Sequence, residues 1–349
     1  MQPHHFLHLH VYLPEHFQRS ITSLCRQEKQ TKMTKSTKNG TSLKNQKVHT
    51  LPVPESPLPP SPSFIAEALT YLHRDGILIL SNAICPTHID SLRSLLAPEA
   101  LQISKNSNHH FNWNRGNMDQ APPLDPDLMY TDIWANPIVV SILQQILGPD
   151  LVCHYANGNT ALPQSTERQP VHADIDQPHP MFPFGYAVNI PLCDVDVENG
   201  STEICLGSHR DSCIDQHVRY RDGEFDLAIR PELVEERRRH SPPIQPGIKK
   251  GSIIVRDVRL WHAGMPNRSL EPRIMLAFAI QPEWFQAPSK VLIPLKAKSL
   301  VERWKKEVGL EYKVEWVDGD VDHKLVSSDE VDFSTRNEKL LELEHLMRP

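Results

Sequence analysis

The sequence predicts an α+β fold with a mainly β core, a sandwich or barrel, flanked by helices on its N-terminal and C-terminal sides. Three observations lead there. Helix-period apolar patterns fill the stretch between residues 63 and 147. From Leu151 onward, short β-rich runs alternate with turn signals, and helical spacing returns only beyond Pro288. Helices grouped ahead of strands, rather than alternating with them, argue against a parallel α/β sheet.

Composition sets the outer bounds. In 349 residues, 39% are hydrophobic and 31 prolines stand against 14 glycines, which fits a domain diluted by irregular extensions. Residues 1–62 read as a disordered, low-complexity leader: His4, His5, His8 and His10 interrupt its apolar start, a polar tract follows, and LPVPESPLPPSP closes it. The net charge of −6 offers no basic footprint for nucleic acid. No apolar run reaches the roughly 18 residues of a membrane span. The six cysteines contain no CxxC pair, so a reduced, cytoplasmic protein is the simplest reading. The terminal MRP is not a peroxisomal signal, and nothing in the sequence reports an oligomeric state.

Order is expected from Ser63. Phe64, Ile65, Ala68, Leu69 and Leu72 recur at helical spacing and Gly76 is a C′ stop. Ile77–Leu80 is a short strand. Thr87 with Asp90 resembles a capping box, followed by a helix through Leu96 and a long polar connection over 102–130. Asn136 and Pro137 open another helix, which Gly148 ends. Strands are expected over 151–160, 171–175, 185–192, 201–206, 251–255, 260–262 and 273–280, with an irregular, charged insertion over 210–246. In the C-terminal part, Ser299 with Glu302 and Thr335 with Glu338 suggest two capped helices, a helical extension over 289–349 packed on the core.

The chemistry centres on Gln169–Asp174, QPVHAD. On a strand, residues i and i+2 share a face, so His172 and Asp174 can converge on one ion. An imidazole nitrogen and a carboxylate oxygen suit Fe(II), Mn(II) or Zn(II), and make two thirds of a 2-His-1-carboxylate triad. The triplet alone is weak, because His88-Ile89-Asp90 repeats it on a predicted helix, where i and i+2 do not face each other. His262, in VRLWHAG, is the leading third ligand, although a lone histidine is more often structural. Arg273 opens the strand RIMLAFAI eleven residues later. The turn-rich stretch between them predicts an antiparallel pair, placing the guanidinium beside His262 and ready for a carboxylate.

HxD, a distant His and Arg at +11, together with VENGSTEICLGSHR (197–210) and HRDGILIL (73–80), resemble the phytanoyl-CoA dioxygenase family of iron(II)/2-oxoglutarate oxygenases. The resemblance runs over roughly residues 64–285 and departs from the family pattern at Leu206, a turn position usually held by proline. It implies a double-stranded β-helix (a jelly-roll, cupin-like fold) over a domain at 63–288. It further implies iron on His172, Asp174 and His262, Arg273 on the distal carboxylate of 2-oxoglutarate, and Gln169 as a co-substrate contact. The implied reaction consumes O2 and 2-oxoglutarate, releases succinate and CO2, and oxidises a C–H bond of a small organic molecule, most simply by hydroxylation. Asp174 speaks against halogenation, which needs the carboxylate's place for a halide.

The bland readings stand beside this one. His209 supports a turn, His154 and His179 are incidental, and Arg256, Asp257 and Arg259 mark a solvated strand edge. Glu235–Arg239 is a solvated helix face. Asn157, Asn159, Met181, Phe182 and Phe184 are pocket lining or ordinary core with equal weight. Two other functions keep the metal or the fold: a cupin-like metalloenzyme that does not use 2-oxoglutarate, and a non-catalytic jelly-roll binding protein. No Ser/His/Asp or Cys/His arrangement supports a hydrolase.

Overall fold

A computed structural model describes residues 46–54, 59–221, 223–329 and 331–347. Most of the leader therefore lies outside the described residues. Where it is described, one expectation changes: β1 (Thr50–Pro52) is a strand, paired in parallel with β2 (Ile77–Ser81). Between them, α1 (Pro62–Asp75) starts where the Ser61 hydroxyl accepts the Phe64 N–H. It stops at Gly76, whose φ of 78° lies in the left-handed region that glycine adopts without steric cost.

The helix α2 (Pro86–Ile103) begins one residue before the predicted capping box, with Cys85 as N-cap and no side-chain cap bond. The long connection after it holds β3 (Asn117–Asp119) and the single turn α3 (Thr131–Trp134). At α4 (Pro137–Leu147) the predicted cap forms: Asn136 Oδ1 accepts the N–H groups of Ile138 and Val139. Then follow β4 (Leu151–Ala161), β5 (Tyr186–Pro191) and β6 (Glu203–Ile204). The insertion is not irregular. It contains β7 (His217–Arg219), β8 (Phe225–Ile229) and α5 (Pro231–His240). The core ends with β9 (Ile253–Asp257), β10 (His262–Ala263) and β11 (Arg273–Pro282).

The C-terminal part is more than helical. It runs β12 (Val291–Pro294), α6 (Lys298–Glu307), β13 (Leu310–Tyr312), β14 (Val314–Val317) and α7 (Glu338–Met347). Both predicted caps shift. Ala297 precedes α6 with no side-chain cap, and Asn337 Oδ1, rather than Thr335, accepts the first N–H groups of α7.

The architecture is mixed, with one large central sheet and few helices. The sheet runs β1-β2-β9-β5-β11-β4-β13, with β3 also on β4. Its central strands obey the period of two. On β11, Ile274, Leu276, Phe278 and Ile280 join Val188, Ile190, Ile253, Val255, Ala68 and Leu72 of α1, Ile89, Leu92 and Leu96 of α2, and the buried residues of α4 in one apolar cluster. Met275, Ala277 and Ala279 of β11, with Ala187, Asn189, Ile254 and Arg256, line a cavity together with residues of a second, discontinuous set of pairings. That set is Ile244 beside β6, β6 beside β10, His262 beside His172, and His172 beside Ala228 of β8. Residues 171–175 are thus not a strand; His172 makes single bridges in an extended segment. The predicted pairing of the His262 and Arg273 strands is overturned as well: β10 pairs with β6, and β11 with β4 and β5.

Trp304 of α6 ties the C-terminal part to the helical layer. It is buried, stacks on Trp134 at 5.9 Å between centroids, and donates from Nε1 to Thr131 Oγ1 at 3.0 Å. Trp304→Ala is expected to destabilise the whole chain by about 3–5 kcal/mol, within one cooperative denaturant transition. A separate early transition for 289–349 would show that this part is not integral.

Burial also fixes a pH dependence. His154 and His179 are buried, and desolvation pushes each imidazole down to about 4. Unfolding restores the ordinary value near 6.5, so between these limits the unfolded chain binds more protons. Stability is full above that range and falls as pH drops, by about 1.4 kcal/mol per pH unit for each histidine. Denaturant midpoints at pH 7 and pH 5 check this; the pH 5 midpoint is expected to be clearly lower.

Candidate metal centre

The site begins with a backbone exchange. His172 N–H donates to His262 O at 2.8 Å and His262 N–H returns to His172 O at 2.9 Å. This antiparallel pair places the two imidazoles side by side, 4.1 Å between ring centroids. Asp174 N–H is held by Val258 O at 2.9 Å, which turns the carboxylate back toward both rings. Asp174 Oδ1 lies 3.3 Å from His262 Nε2 and 4.0 Å from His172 Nε2. One ligand atom from each of the three residues lies within 4.8 Å of the others. Neighbouring donors on one ion with bonds of about 2.1 Å stand about 3 Å apart, so little closure is required.

The tautomers suit a metal. His172 Nδ1 lies 2.9 Å from Pro170 O and His262 Nδ1 lies 2.9 Å from Leu260 O. A carbonyl can only accept, so each Nδ1 carries a proton and each Nε2 is the nitrogen turned inward. Burial pushes His172 down to about 3, keeping its ring neutral. Burial alone would raise the Asp174 carboxyl, but the Arg256 guanidinium and then His262 hold it well below the usual carboxylate range. A neutral His172 imidazole and an ionised Asp174 carboxylate are protonation states that a divalent ion requires.

Arg273 and Gln169 line the same cavity, of about 620 Å³, without being neighbours of His262 across a ladder. Arg273 is 2% exposed. It donates weakly to Asn159 O and Gly200 O, at 3.2 and 3.3 Å, and its Nε has no partner among the described residues. No carboxylate among the described residues pairs with it, and burial lowers the guanidinium to about 10. Such a cation lacks an anion that the protein does not supply. Gln169 Oε1 accepts the Gly264 N–H at 2.8 Å, and a Cβ at Gly264 would stand 2.3 Å from that oxygen. Gln169 therefore grips the chain just beyond His262.

Several bland readings change. Arg256 is buried and its Nη2 lies 2.8 Å from Asp174 Oδ2. Arg259 and Asp257, 2% and 0% exposed, form a buried ion pair, with Arg259 donating from its backbone N–H, Nε and Nη2 to that one carboxylate. None of the three is a solvated edge. The clue was available: the alternation of SIIVRD puts Arg256 on the face of Ile254, opposite Ile253 and Val255. Of the five pocket candidates only Asn159 lines the cavity; Met181 and Phe182 are exposed, and Phe184 stacks on Phe285. His209 reaches His73 O, and His154 and His179 lie off the cavity. His88 pairs with Asp132, apart from the triad.

Other lining residues had no local signal. Trp113, in the polar connection, sits with its ring 4.4 Å from that of His172 and its φ at 64°, a strained value for a bulky residue. The cavity is also walled by Tyr155 and by Ser328, Asp329, Val331 and Phe333 of the C-terminal segment.

Among solved structures, the chain is similar to the epimerase SnoN in complex with Fe3+, alpha ketoglutarate and nogalamycin RO. Identity is 16%, the match covers 64% of this chain and 85% of that one, and the TM-score is 0.48. It is also similar to EctD from S. alaskensis with 2-oxoglutarate and 5-hydroxyectoine, at 15% identity over 67% of this chain and 78% of that one, with a TM-score of 0.47. The family model described as Phytanoyl-CoA dioxygenase (PhyH) matches residues 72–275. That span exceeds half of the sequence and contains the whole triad and Arg273, so the chain belongs to the phytanoyl-CoA dioxygenase family of 2-oxoglutarate-dependent non-haem iron oxygenases.

Proposed function

We propose that the protein oxidises a C–H bond of a small organic molecule, most simply by hydroxylation, consuming 2-oxoglutarate and O2 and releasing succinate and CO2. The observation that carries this reading is the convergence of His172 Nε2, Asp174 Oδ1 and His262 Nε2 in a cavity that also holds a buried arginine with no acidic partner among the described residues. The three donors would hold Fe(II). Bound there, the iron supplies O2 activation and the oxidising power for C–H cleavage.

The chain's own residues do the rest. Pro170 O and Leu260 O keep the two imidazoles in the metal-binding tautomer. Arg273 would anchor the distal carboxylate of 2-oxoglutarate, an anion that satisfies its idle Nε and compensates its buried charge. Gln169, whose Oε1 is already engaged by Gly264, supports the His262 segment and is a weaker co-substrate contact than Arg273. The largely apolar strand faces around the site limit water there, and a cavity of about 620 Å³ matches a small-molecule substrate.

This reading includes a double-stranded β-helix, supported by the cavity between the central sheet and the discontinuous second set of pairings. It includes a catalytic domain at 63–288, with 289–349 packed on it through Trp304. It also includes a cytoplasmic setting, which the free thiols of the five described cysteines fit.

Anaerobic addition of Fe(II) and then 2-oxoglutarate to the purified chain is expected to give the visible charge-transfer band of the chelate. His262→Ala should abolish the band. Arg273→Ala should raise the half-saturating 2-oxoglutarate by about 100-fold, equivalent to about 3 kcal/mol. Bound iron without a band in the unaltered chain would reject the 2-oxoglutarate reading and favour a cupin-like metalloenzyme.

Gln169→Leu separates the two roles of that residue. It strands the buried Gly264 N–H at a cost of about 1–3 kcal/mol, and should weaken Fe(II) binding while leaving the half-saturating 2-oxoglutarate within about twofold. The reverse pattern would return Gln169 to direct co-substrate contact.

A further inference from the structure

We propose that Arg256 is a positioning residue that fixes Asp174 in a one-oxygen binding mode, so that a metal ion receives Oδ1 alone and the coordination position beside it stays open. This inference rests on the metal reading of the His172–Asp174–His262 site and specifies how that site works.

A carboxylate can meet a divalent ion through one oxygen or through both, and nothing in Asp174 itself decides between them. Its surroundings do. Oδ1 faces the two inward nitrogens, at 3.3 Å from His262 Nε2 and 4.0 Å from His172 Nε2. Oδ2 is turned away and lies 2.8 Å from Arg256 Nη2. Swinging Oδ2 onto the ion would break an ion pair whose guanidinium is 6% exposed. Leaving such a cation buried without its partner costs several kcal/mol.

Arg256 has no better use for its charge. The neighbouring acid, Asp257, is fully engaged by Arg259. Arg256 Nη1 lies 3.2 Å from His262 Nδ1, but that nitrogen carries a proton bound for Leu260 O and is no acceptor. Asp174 is the one carboxylate paired with Arg256 among the described residues. Backbone order fixes the arrangement: Arg256 sits in register with Ala187 of β5 and Ile77 of β2, inside the central sheet, so its Cα cannot drift with the loop that carries Asp174.

The consequence concerns what remains open. Three single-atom protein donors on an octahedral ion leave three positions, whereas a two-oxygen aspartate leaves only two. A chelating keto-acid and O2 together require three. Arg256 thus bears on the co-substrate capacity of the site without touching the co-substrate.

The test counts waters, with Mn(II) as the probe and no turnover. The full chain is stripped with a chelator and loaded with Mn(II), and the broadening of its EPR lines in oxygen-17 water gives the number of bound waters. About three are expected for the unaltered chain. Arg256→Met, which keeps the bulk and removes the charge, should lose one water, and Arg256→Lys should restore it. Three waters in Arg256→Met, or a Mn(II) affinity more than tenfold weaker in that variant at an unchanged melting temperature, overturns the proposal. Two waters in the unaltered chain overturns it without any variant, should Arg256→Met not fold. If the unaltered chain takes up no Mn(II), the metal reading itself has failed, which is a distinct result.

Discussion

The site depends on one reciprocal hydrogen-bond pair, His172 N–H to His262 O and His262 N–H to His172 O. Neither residue belongs to a long strand. β10 spans only His262–Ala263, and His172 makes isolated bridges. A two-residue strand and a single bridge contribute little stability of their own. Their geometry is imposed from both sides: β6 and Trp261 pack on the His262 side, and Ala228 of β8 lies on the far side of His172. The insertion that carries β8 is therefore part of the metal centre's scaffold, because it supplies the outer neighbour of a ligand-bearing segment.

Much of the fold was legible because its signals are local. Asn136, Pro137 and Gly76 act within one turn of where they stand, and the alternation along β11 sorts its side chains between the helices and the cavity. What the sequence concealed is which strand lies beside which. His262 and Arg273 are close in sequence and separated by turn residues, the usual mark of a hairpin. Yet Asn267, at the centre of that connection, hydrogen-bonds Ala161 O and Glu271 O, and carries the chain from β10 into the central sheet. The triad was found despite this, because His, Asp and His are chemically distinctive whatever their partners. Arg256 was missed because its role is set by the other oxygen of Asp174, which no local pattern announces.

The charges of the site make sense only as a set. Three cationic or ionisable groups crowd one carboxylate, His172, His262 and Arg256, and Arg273 lines the same cavity. Burial keeps the His172 imidazole neutral, Arg256 takes the outer carboxylate oxygen, and Arg273 is left with backbone carbonyls alone. Buried guanidinium groups do not shed their protons, so Arg273 keeps a charge that no carboxylate among the described residues meets.

The cavity has two kinds of wall, and they carry different information. The triad, Arg256, Arg273 and the strands β2, β4, β5 and β9 lie within residues 72–275, the span matched by the family. Ser328, Asp329, Val331 and Phe333 lie beyond it. That segment is not loosely draped. Ser328 donates from its backbone N–H and its hydroxyl to Asp119 Oδ2, and His110 bridges Asp119 and Asp329 at 2.9 and 2.8 Å. Phe333 rests against Tyr155, with ring centroids 5.4 Å apart. These donors to the buried Asp119 carboxylate tie the segment to the cavity wall. The triad thus lies inside the family span, while part of the cavity wall lies outside it.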